Sequence, residues 1–283
     1  MSKVDLHLHS TASDGQFSPT EIVRKSAMAG LNVIALADHD TVNGIIPALE
    51  AVKFFPELEV LPCVEISTDI SQGEVHILGY FVDYTNDKLQ ATLGKMRESR
   101  QERAQRMIIK LTKLGLSITW ERVQEIAGSG SIGRPHIAQA MLERGYITSI
   151  KEAFTKYIGW GGPAYAEREK MSSLEAIELV LQAQGLPVFA HPLTIDNPEA
   201  IVIELKVAGL VGIEAYYGSY TVEEINRLVN IANRHNLIAT GGSDYHGLEA
   251  RNETMIGGAD VPIESVEQLK TLAEQQALKL ARL

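Results

Sequence analysis

The stretch Val4-Asp5-Leu6-His7-Leu8-His9-Ser10 combines the pattern of a buried strand with two imidazole side chains. Successive side chains of a strand point to opposite faces, so His7 and His9 share one face at the carboxyl end of the strand. Imidazole is a common protein ligand for divalent metals, although a single His-x-His pair is a weak indication of a metal site. The stretch therefore predicts a first strand that ends at a candidate metal site.

Six further β-like runs follow this strand, and helical patterns separate them. The runs lie at residues 33–37, 60–64, 75–80, 187–190, 211–215 and 237–240. We expect a helix after each run, because strands that alternate with helices indicate βαβ units and a mainly parallel sheet. Seven strands predict an α/β barrel with one strand fewer than the usual eight.

Residues 86–170 interrupt this alternation, because their helical periodicity continues without an apolar strand pattern. We predict an inserted helical substrate-binding subdomain here, with residues 1–85 and 171–283 forming the barrel. Residues 88–127 carry nine Lys or Arg and four Glu. This charge is typical of a solvated helix face. The apolar stripe of the segment passes through Arg100 and Arg103, however, which favours a second interpretation in which both side chains face the site.

The composition limits the classes of partner. The chain of 283 residues is 45% hydrophobic and has a net charge of −10, which argues against binding to duplex DNA or to an anionic membrane surface. Its first residues lack a secretory-signal pattern, and no apolar run reaches the roughly 18 residues of a membrane span. Because Cys63 is the single cysteine, no disulfide can form within the chain, and we expect a cytoplasmic protein.

Histidine and carboxylate side chains follow most of the predicted strands, close to the point where each strand ends. The carboxyl ends of parallel strands form the active-site edge of α/β barrels. A mixed set of imidazoles and carboxylates suits Mn²⁺, Zn²⁺ or Fe²⁺. Nine candidate groups exceed the four or so ligands that one ion takes, so we expect more than one metal. The candidates are His7, His9, Asp14, His39, Glu65, His76, His191, Asp244 and His246.

A Gly/Ser-rich loop at residues 128–133 leads into another predicted helix. Backbone N–H groups at such a position bind anions, and a nearby arginine adds a bidentate fork. The same pattern also occurs in loops that lead into a helix and bind no ligand. We predict a set of substrate contacts around this loop, consisting of Ser131, Arg134 and His136 together with Arg100 and Arg103.

These motifs resemble the polymerase and histidinol phosphatase (PHP) family of metal-dependent phosphoesterases. The resemblance spans nearly the whole chain and implies a distorted seven-stranded TIM-like (βα)7 barrel. No ligand of the family pattern is missing, so the degenerate, non-catalytic members are a poor match. The matching motifs are Asp5-Leu6-His7-Leu8-His9-Ser10, Asp38-His39-Asp40, Glu65, His76, Ala190-His191-Pro192 and Ser243-Asp244-Tyr245-His246.

The resemblance also implies three divalent ions, with Mn²⁺ expected and Zn²⁺ or Fe²⁺ as alternatives. Glu65 would bridge the first and second ions. The implied ligands are His7, His9, Glu65 and Asp244 for the first ion, Glu65, His76 and His191 for the second, and Asp14, His39 and His246 for the third.

Two shorter motifs, at residues 133–138 and 160–165, resemble a subgroup that carries a helical insertion. This subgroup includes 3′,5′-nucleotide bisphosphate phosphatases and enzymes that remove nucleotides from the 5′ ends of RNA. The resemblance implies that Arg134 and His136 bind phosphate. We therefore predict hydrolysis of the 3′-phosphate of a nucleoside 3′,5′-bisphosphate by a metal-bridging hydroxide. The alternative is 5′-3′ trimming of short single-stranded RNA ends that carry a 5′-phosphate.

We predict that Asp40, His191 and Arg134 take part in catalysis. Asp40 would act either as a proton donor or as a group that orients the neighbouring His39, and both roles stay open. Two other classes are considered. A C–N hydrolase on a similar barrel commonly uses a carboxylated lysine as its bridge, whereas this chain has Glu65 at the matching strand end. A non-enzymatic metal-binding module would turn over no phosphoester.

Overall fold

The computed structural model describes residues 3–70, 73–128, 130–167, 171–248 and 253–280. One sheet contains all seven predicted strands, in the order in which they occur in the chain. This arrangement confirms the predicted α/β barrel. The strands are β1 (Val4–Leu8), β2 (Val33–Leu36), β3 (Glu59–Ile70), β4 (Gly73–Tyr80), β5 (Leu186–Phe189), β6 (Gly212–Tyr217) and β7 (Ile238–Gly242).

Contacts between β1 and the chain just after β7 nearly close the sheet into a barrel. The His9 N–H group donates to the Tyr245 carbonyl at 3.1 Å, and the Asp244 N–H group donates to the His7 carbonyl at 2.9 Å. Gly242 permits this approach, because a Cβ atom there would lie 2.5 Å from the Cβ atom of His7. Closure therefore brings the ends of β1 and β7 side by side.

Strand β3 departs from the prediction that a helix follows each strand. It forms an antiparallel hairpin with β4, which is also antiparallel to β5, whereas the other neighbouring strands are parallel. Only residues 65–74 separate the two predicted runs, and a parallel crossover needs about a dozen residues or more. Because β4 is antiparallel to its neighbours, its first half lies at the same end of the barrel as the carboxyl ends of the parallel strands. His76, opposite Ser67 in the hairpin, reaches the site in this way.

Within the described residues, the barrel part of the chain has six α-helices and a short 3-10 turn at Pro192–Thr194. The first begins at the sequence Ser18-Pro19-Thr20-Glu21, where the Ser18 and Glu21 side chains each bond the other's backbone N–H group as a capping box. None of the described helices is both long and apolar enough to cross a membrane. The six helices are α1 (Pro19–Met28), α2 (Ile45–Val52), α7 (Ser173–Gln182), α8 (Pro198–Ala208), α9 (Val222–Arg234) and α10 (Ile263–Leu280).

Between β4 and α7 the described residues form helices and no strand. These elements are α3 (Asp87–Lys113), α4 (Trp120–Ala127), α5 (Arg134–Glu143), α6 (Ile150–Ala153) and a π-helical turn (Phe154–Ile158). They enclose a hydrophobic cluster of their own, in which Met107, Val123 and Met141 are fully buried. Residues 168–170, at the predicted end of the helical subdomain, lie outside the described residues, and its boundaries stay a prediction.

Candidate metal centre

Glu65, on β3, lies at the centre of the predicted ligands and is 1% exposed. Its Oε2 atom lies 3.2 Å from His7 Nε2, 3.3 Å from His9 Nε2 and 3.1 Å from His39 Nδ1. The carboxylate therefore faces imidazoles from the ends of both β1 and β2.

The other oxygen of Glu65 faces two further imidazoles. Its Oε1 atom lies 2.7 Å from His76 Nδ1 and 2.9 Å from His191 Nε2. His76 comes from the antiparallel strand β4, and His191 follows β5. A single carboxylate thus joins five of the predicted histidines, and its two oxygens point toward different groups of them.

Asp244 and Asp14 extend the cluster on its other sides. Asp244 Oδ1 lies 3.0 Å from His9 Nε2 and 3.4 Å from His7 Nε2. Asp14 Oδ1 lies 3.4 Å from His246 Nε2, and Asp14 Oδ2 lies 3.9 Å from His39 Nε2. All nine predicted candidates therefore meet at one end of the barrel.

Three groups of these side chains have ligand atoms that lie within 4.8 Å of one another. They are His7, His9, Glu65 and Asp244; His9, Asp14, His39 and His246; and His39, Glu65 and His76. The first group equals the set implied for the first ion. In the other two groups His39 contacts both Glu65 and Asp14 through its two ring nitrogens, and His191 adjoins Glu65 without completing a group of its own.

Three residues at this end of the barrel have positive φ angles that non-glycine residues rarely adopt. The angles are 52° for Asp40, 29° for His191 and 55° for Asp244. Such backbone conformations cost free energy and persist where the surrounding structure requires them. In this protein they turn the chain sharply at the ends of β2, β5 and β7.

The buried carboxylates are held in the charged form by the imidazoles around them. Burial would raise the pKa of Glu65, but the nearby His39, His7 and His76 outweigh it and bring the pKa well below its usual range. Asp14 behaves in the same way, with His39 and His246 lowering its pKa. Burial lowers the pKa of His39 to about 3. These carboxylates in turn raise the pKa of His7 and of His246, so protonated imidazoles or bound cations balance the buried negative charge of the centre.

Several polar atoms in the centre fit coordination to a cation better than they fit hydrogen bonding. Both ring nitrogens of His9, Nδ1 of His191 and Oδ1 of Asp14 are buried without a hydrogen-bond partner among the described residues. Leaving such groups unpaired is costly. Imidazole nitrogens and carboxylate oxygens are the donors that Mn²⁺, Zn²⁺ and Fe²⁺ accept. The residues present therefore fit divalent metal ions.

Two further carboxylates, Glu214 and Asp38, hold the candidate ligands in position, and neither was among the predicted site residues. Glu214, on β6, accepts a hydrogen bond from the His191 N–H group at 2.7 Å and lies 3.0 Å from His7 Nδ1. Asp38 accepts hydrogen bonds from Ser10 and Ser13 and so fixes the loop that carries Asp14. The signal for Glu214 was available, because it is a carboxylate inside an otherwise apolar strand.

Tyr217 also contacts the centre, through its hydroxyl group. The hydroxyl donates to Asp244 Oδ2 at 2.6 Å, and the ring lies 6.0 Å from that of His191. The neighbouring Tyr220 instead accepts a hydrogen bond from the Leu193 N–H group at 3.0 Å. The two tyrosines thus have different partners, although their ring centroids are only 4.8 Å apart.

A cavity of about 150 Å³ opens beside the centre and connects it with the helical segment. Its walls combine candidate metal ligands with three arginines. Both Arg100 and Arg103 are buried, at 6% and 4% exposure, so they face the site and not the solvent. The lining residues are Asp14, His39, Ser67, Glu74, His76, Arg100, Arg103, Arg134, Pro135, Phe154 and His246.

Asp40 is fully buried and contacts Arg100. Its Oδ1 atom accepts the Ser67 N–H group at 2.9 Å, while Oδ2 accepts the Nε–H group of Arg100. The carboxylate does not line the cavity. Because both oxygens are engaged by protein groups, this geometry favours a positioning role for Asp40, directed at Arg100, over proton donation.

The predicted contacts around the helix α5 N-terminus differ in their surroundings. Arg134 lines the cavity, and its guanidinium carbon lies 5.4 Å from the centre of the Phe154 ring. Ser131 and His136 are both buried at 4% exposure and do not line the cavity. His136 Nδ1 accepts the Gly133 N–H group at 3.0 Å and so caps the helix. The structure therefore brings Arg134 to the cavity, whereas Ser131 and His136 are buried and do not line it.

Comparison with known proteins extends the resemblance noted in the sequence. No protein-family model matches the chain. A 5′-3′ exoribonuclease from Haemophilus influenzae is 34% identical over 86% of this chain and 90% of its own length. A 3′,5′-nucleoside bisphosphate phosphatase from Chromobacterium violaceum is 32% identical over 87% of this chain and 88% of its own.

Two solved structures share the fold over most of both chains, each with a TM-score of 0.86 and 30% identity. One is described as a predicted metal-dependent phosphoesterase from Bifidobacterium adolescentis and covers 94% of each chain. The other is described as an amidohydrolase from Chromobacterium violaceum with bound sulfate and no metal, and covers 92% of each chain. With these relatives and this site, the chain belongs to the PHP family of metal-dependent phosphoesterases, in the group related to nucleoside bisphosphate phosphatases and 5′-3′ exoribonucleases.

Proposed function

We propose that this protein removes the 3′-phosphate from nucleoside 3′,5′-bisphosphates such as adenosine 3′,5′-bisphosphate. One observation carries the proposal: a single cavity is lined by candidate metal ligands on one wall and by arginines on the other. A substrate with two phosphate groups matches such a cavity, because one group suits the metal wall and the other suits the guanidinium wall. The 32% identical bisphosphate phosphatase supports the same substrate class.

The proposal includes three divalent ions, with Mn²⁺ expected. The proposed ligands are His7, His9, Glu65 and Asp244 for the first, Glu65, His76 and His191 for the second, and Asp14, His39 and His246 for the third. When bound, such ions would polarise phosphoryl oxygens and lower the pKa of bound water toward about 7. The chain itself supplies the orientation of these ligands and the binding of the remote phosphate.

The arginines bind and orient the phosphate that is not cleaved. Arg103 and Arg134 reach the cavity from helices α3 and α5, and the fixed fork of each guanidinium suits phosphate oxygens. Arg100 lies deeper and is held by Asp40 and Ser67. Holding the substrate at both ends aligns its scissile ester with the metal wall, which is the contribution of positioning to catalysis.

The second candidate function is 5′-3′ trimming of short RNA, which the 34% identical exoribonuclease favours. Both substrates carry a 5′-phosphate and a scissile phosphate ester on the 3′ side, so one cavity serves both chemistries. The rates on adenosine 3′,5′-bisphosphate and on a 5′-phosphorylated trinucleotide separate the two. Retained discrimination against 5′-hydroxyl ends in Arg134→Ala would remove Arg134 from the 5′-phosphate site.

The decisive experiment measures phosphate release from adenosine 3′,5′-bisphosphate with Mn²⁺. The double variant His7→Ala, Glu65→Ala removes ligands of the proposed first and second ions, and we expect its rate to fall at least about a thousandfold. A matched control is His235→Ala, Glu199→Ala, which removes an imidazole–carboxylate pair (3.0 Å) at the end of α9, away from the cluster. Undiminished activity in the first variant would contradict the proposal. Turnover of a C–N substrate without phosphate release would favour the amidohydrolase class instead.

A further inference from the structure

Glu74, at the start of β4, bridges two of the three arginines that line the cavity. Its Oε1 atom accepts a hydrogen bond from Arg103 at 3.1 Å, and its Oε2 atom accepts one from Arg134. One carboxylate thus joins guanidiniums from α3 and α5, which lie 29 and 60 residues away in the sequence. All three side chains line the same cavity as His76 and His246. No residue role considered above includes Glu74.

The geometry of this bridge is that of a bound oxyanion. A phosphate group that binds two guanidiniums places one oxygen near each, as the two oxygens of Glu74 do here. The side chain of Glu74 is 15% exposed and that of Arg134 is 16% exposed, so both are accessible from the cavity. The carboxylate therefore stands where a substrate phosphate would contact Arg103 and Arg134.

The pair formed by Arg100 and Asp40 is different. Its carboxylate is 0% exposed and lies behind the cavity wall, and Arg100 also donates to Ser67. An anion that enters the cavity can contact Arg100 but cannot displace Asp40 from it. Among the described residues, two carboxylates pair with these arginines: Asp40 is enclosed, whereas Glu74 is open to exchange with a ligand.

We propose that Glu74 is an internal competitor of the substrate phosphate. It pairs with Arg103 and Arg134 in the free protein, gives way when a phosphomonoester dianion enters, and returns when the product leaves. The inference rests on the proposed function, in which the cleavage product, a nucleoside 5′-phosphate, keeps the group that these arginines bind. A resident carboxylate lowers the affinity for that product and so promotes its release, at the expense of weaker substrate binding.

The test uses metal-free protein and measures binding by calorimetry, with AMP, inorganic sulfate and adenosine as probes. In Glu74→Gln we expect AMP and sulfate to bind about tenfold more tightly than in the wild type, the scale of one charged hydrogen bond. Adenosine has no phosphate, and its binding should not change. In Glu74→Asp, which keeps the charge but has a shorter reach, we expect an intermediate gain.

Glu102→Gln is the matched control. It makes the same change in net charge on helix α3, where the 72% exposed Glu102 contacts Arg106, and its AMP and sulfate affinities should equal those of the wild type. Unchanged or weaker AMP and sulfate binding in Glu74→Gln would overturn the inference, because a supporting role for Glu74 predicts loss. An equal gain in Glu102→Gln, or a gain that extends to adenosine, would overturn it as well. Thermal unfolding verifies that each variant is folded. If Glu74→Gln does not fold, the AMP and sulfate affinities of Glu74→Asp provide the test instead.

Failure of this inference and failure of the proposed function have different signatures. A protein that does not hydrolyse nucleoside bisphosphates shows no phosphate release with Mn²⁺, whatever residue occupies position 74. Sulfate binding requires neither metal nor nucleoside, so it reports on the bridge between Arg103 and Arg134 even in that case.

Discussion

The two walls of the cavity balance their charges in different ways. On the barrel wall, imidazoles and carboxylates crowd together, and His9, His191 and Asp14 keep buried atoms without hydrogen-bond partners. On the helical wall, Arg100 contacts Asp40, while Arg103 and Arg134 contact Glu74. The barrel wall thus has donor atoms that suit divalent cations, whereas the arginines of the helical wall are paired with carboxylates of the chain. We expect loss of the buried pair of Arg100 and Asp40 to lower stability, and loss of contacts in the barrel wall to lower metal affinity.

The largest effect expected from this comparison is on stability, in Asp40→Asn. The substitution leaves the buried guanidinium of Arg100 without its charged partner, and breaking a buried pair on one side costs about 3 kcal/mol. Asparagine tolerates the positive φ of 52° at this position, so backbone strain does not confuse the result. The free energy of unfolding in urea should fall by this amount in metal-free protein and by a similar amount with Mn²⁺.

Glu50→Gln provides the control for this prediction, because the exposed pair of Glu50 and Lys53 contributes little to stability. If Asp40→Asn lost Mn²⁺ affinity while keeping the stability of the wild type, Asp40 would belong functionally to the barrel wall. The proposed division between the two walls would then be wrong.

The arginines of the helical wall were predicted, but their pairing with Asp40 and Glu74 was not, so the barrel wall was predictable from sequence more completely. Its side chains occur close to the ends of apolar strands, and the sheet brings those ends together, so position in the sequence reveals position in space. His76 was selected as a candidate although the hairpin of β3 and β4 was not foreseen. Glu74 left no such signal, because its partners on α3 and α5 are distant in sequence and follow no shared periodicity. Asp40 was predicted as a catalytic residue, but its contact with Arg100 is visible only in the structure.

A smaller effect is expected behind the barrel wall, in Glu214→Gln. Glu214 contacts Nδ1 of His7 and the backbone N–H group of His191, and both residues belong to the proposed ligand set. Partners that orient a ligand from behind typically contribute 10- to 100-fold to metal affinity. We expect Mn²⁺ affinity, measured by calorimetric titration, to fall by about this factor.

Glu178→Gln is a suitable control for this prediction, since Glu178 accepts a hydrogen bond from Gln182 and lies on the exposed side of α7. Wild-type Mn²⁺ affinity in Glu214→Gln would show that the ligands keep their orientation without this carboxylate. The apolar environment of β6 would then be enough to position His7.

The smallest effect is expected in Tyr217→Phe, which removes one hydrogen bond to Asp244 and keeps the aromatic ring. Asp244 would still contact His7 and His9 through Oδ1, and only Oδ2 would lose its donor. We expect Mn²⁺ affinity to fall by less than about tenfold, as for one hydrogen bond to a charged group. Tyr220→Phe is the matched control, because its hydroxyl binds a backbone N–H group next to Pro192 and no proposed ligand. Equal losses of Mn²⁺ affinity in the two variants would mean that packing of the two rings, and not the hydrogen bond to Asp244, supports the centre. A loss confined to Tyr217→Phe would add Tyr217, on β6, to the residues of the barrel wall.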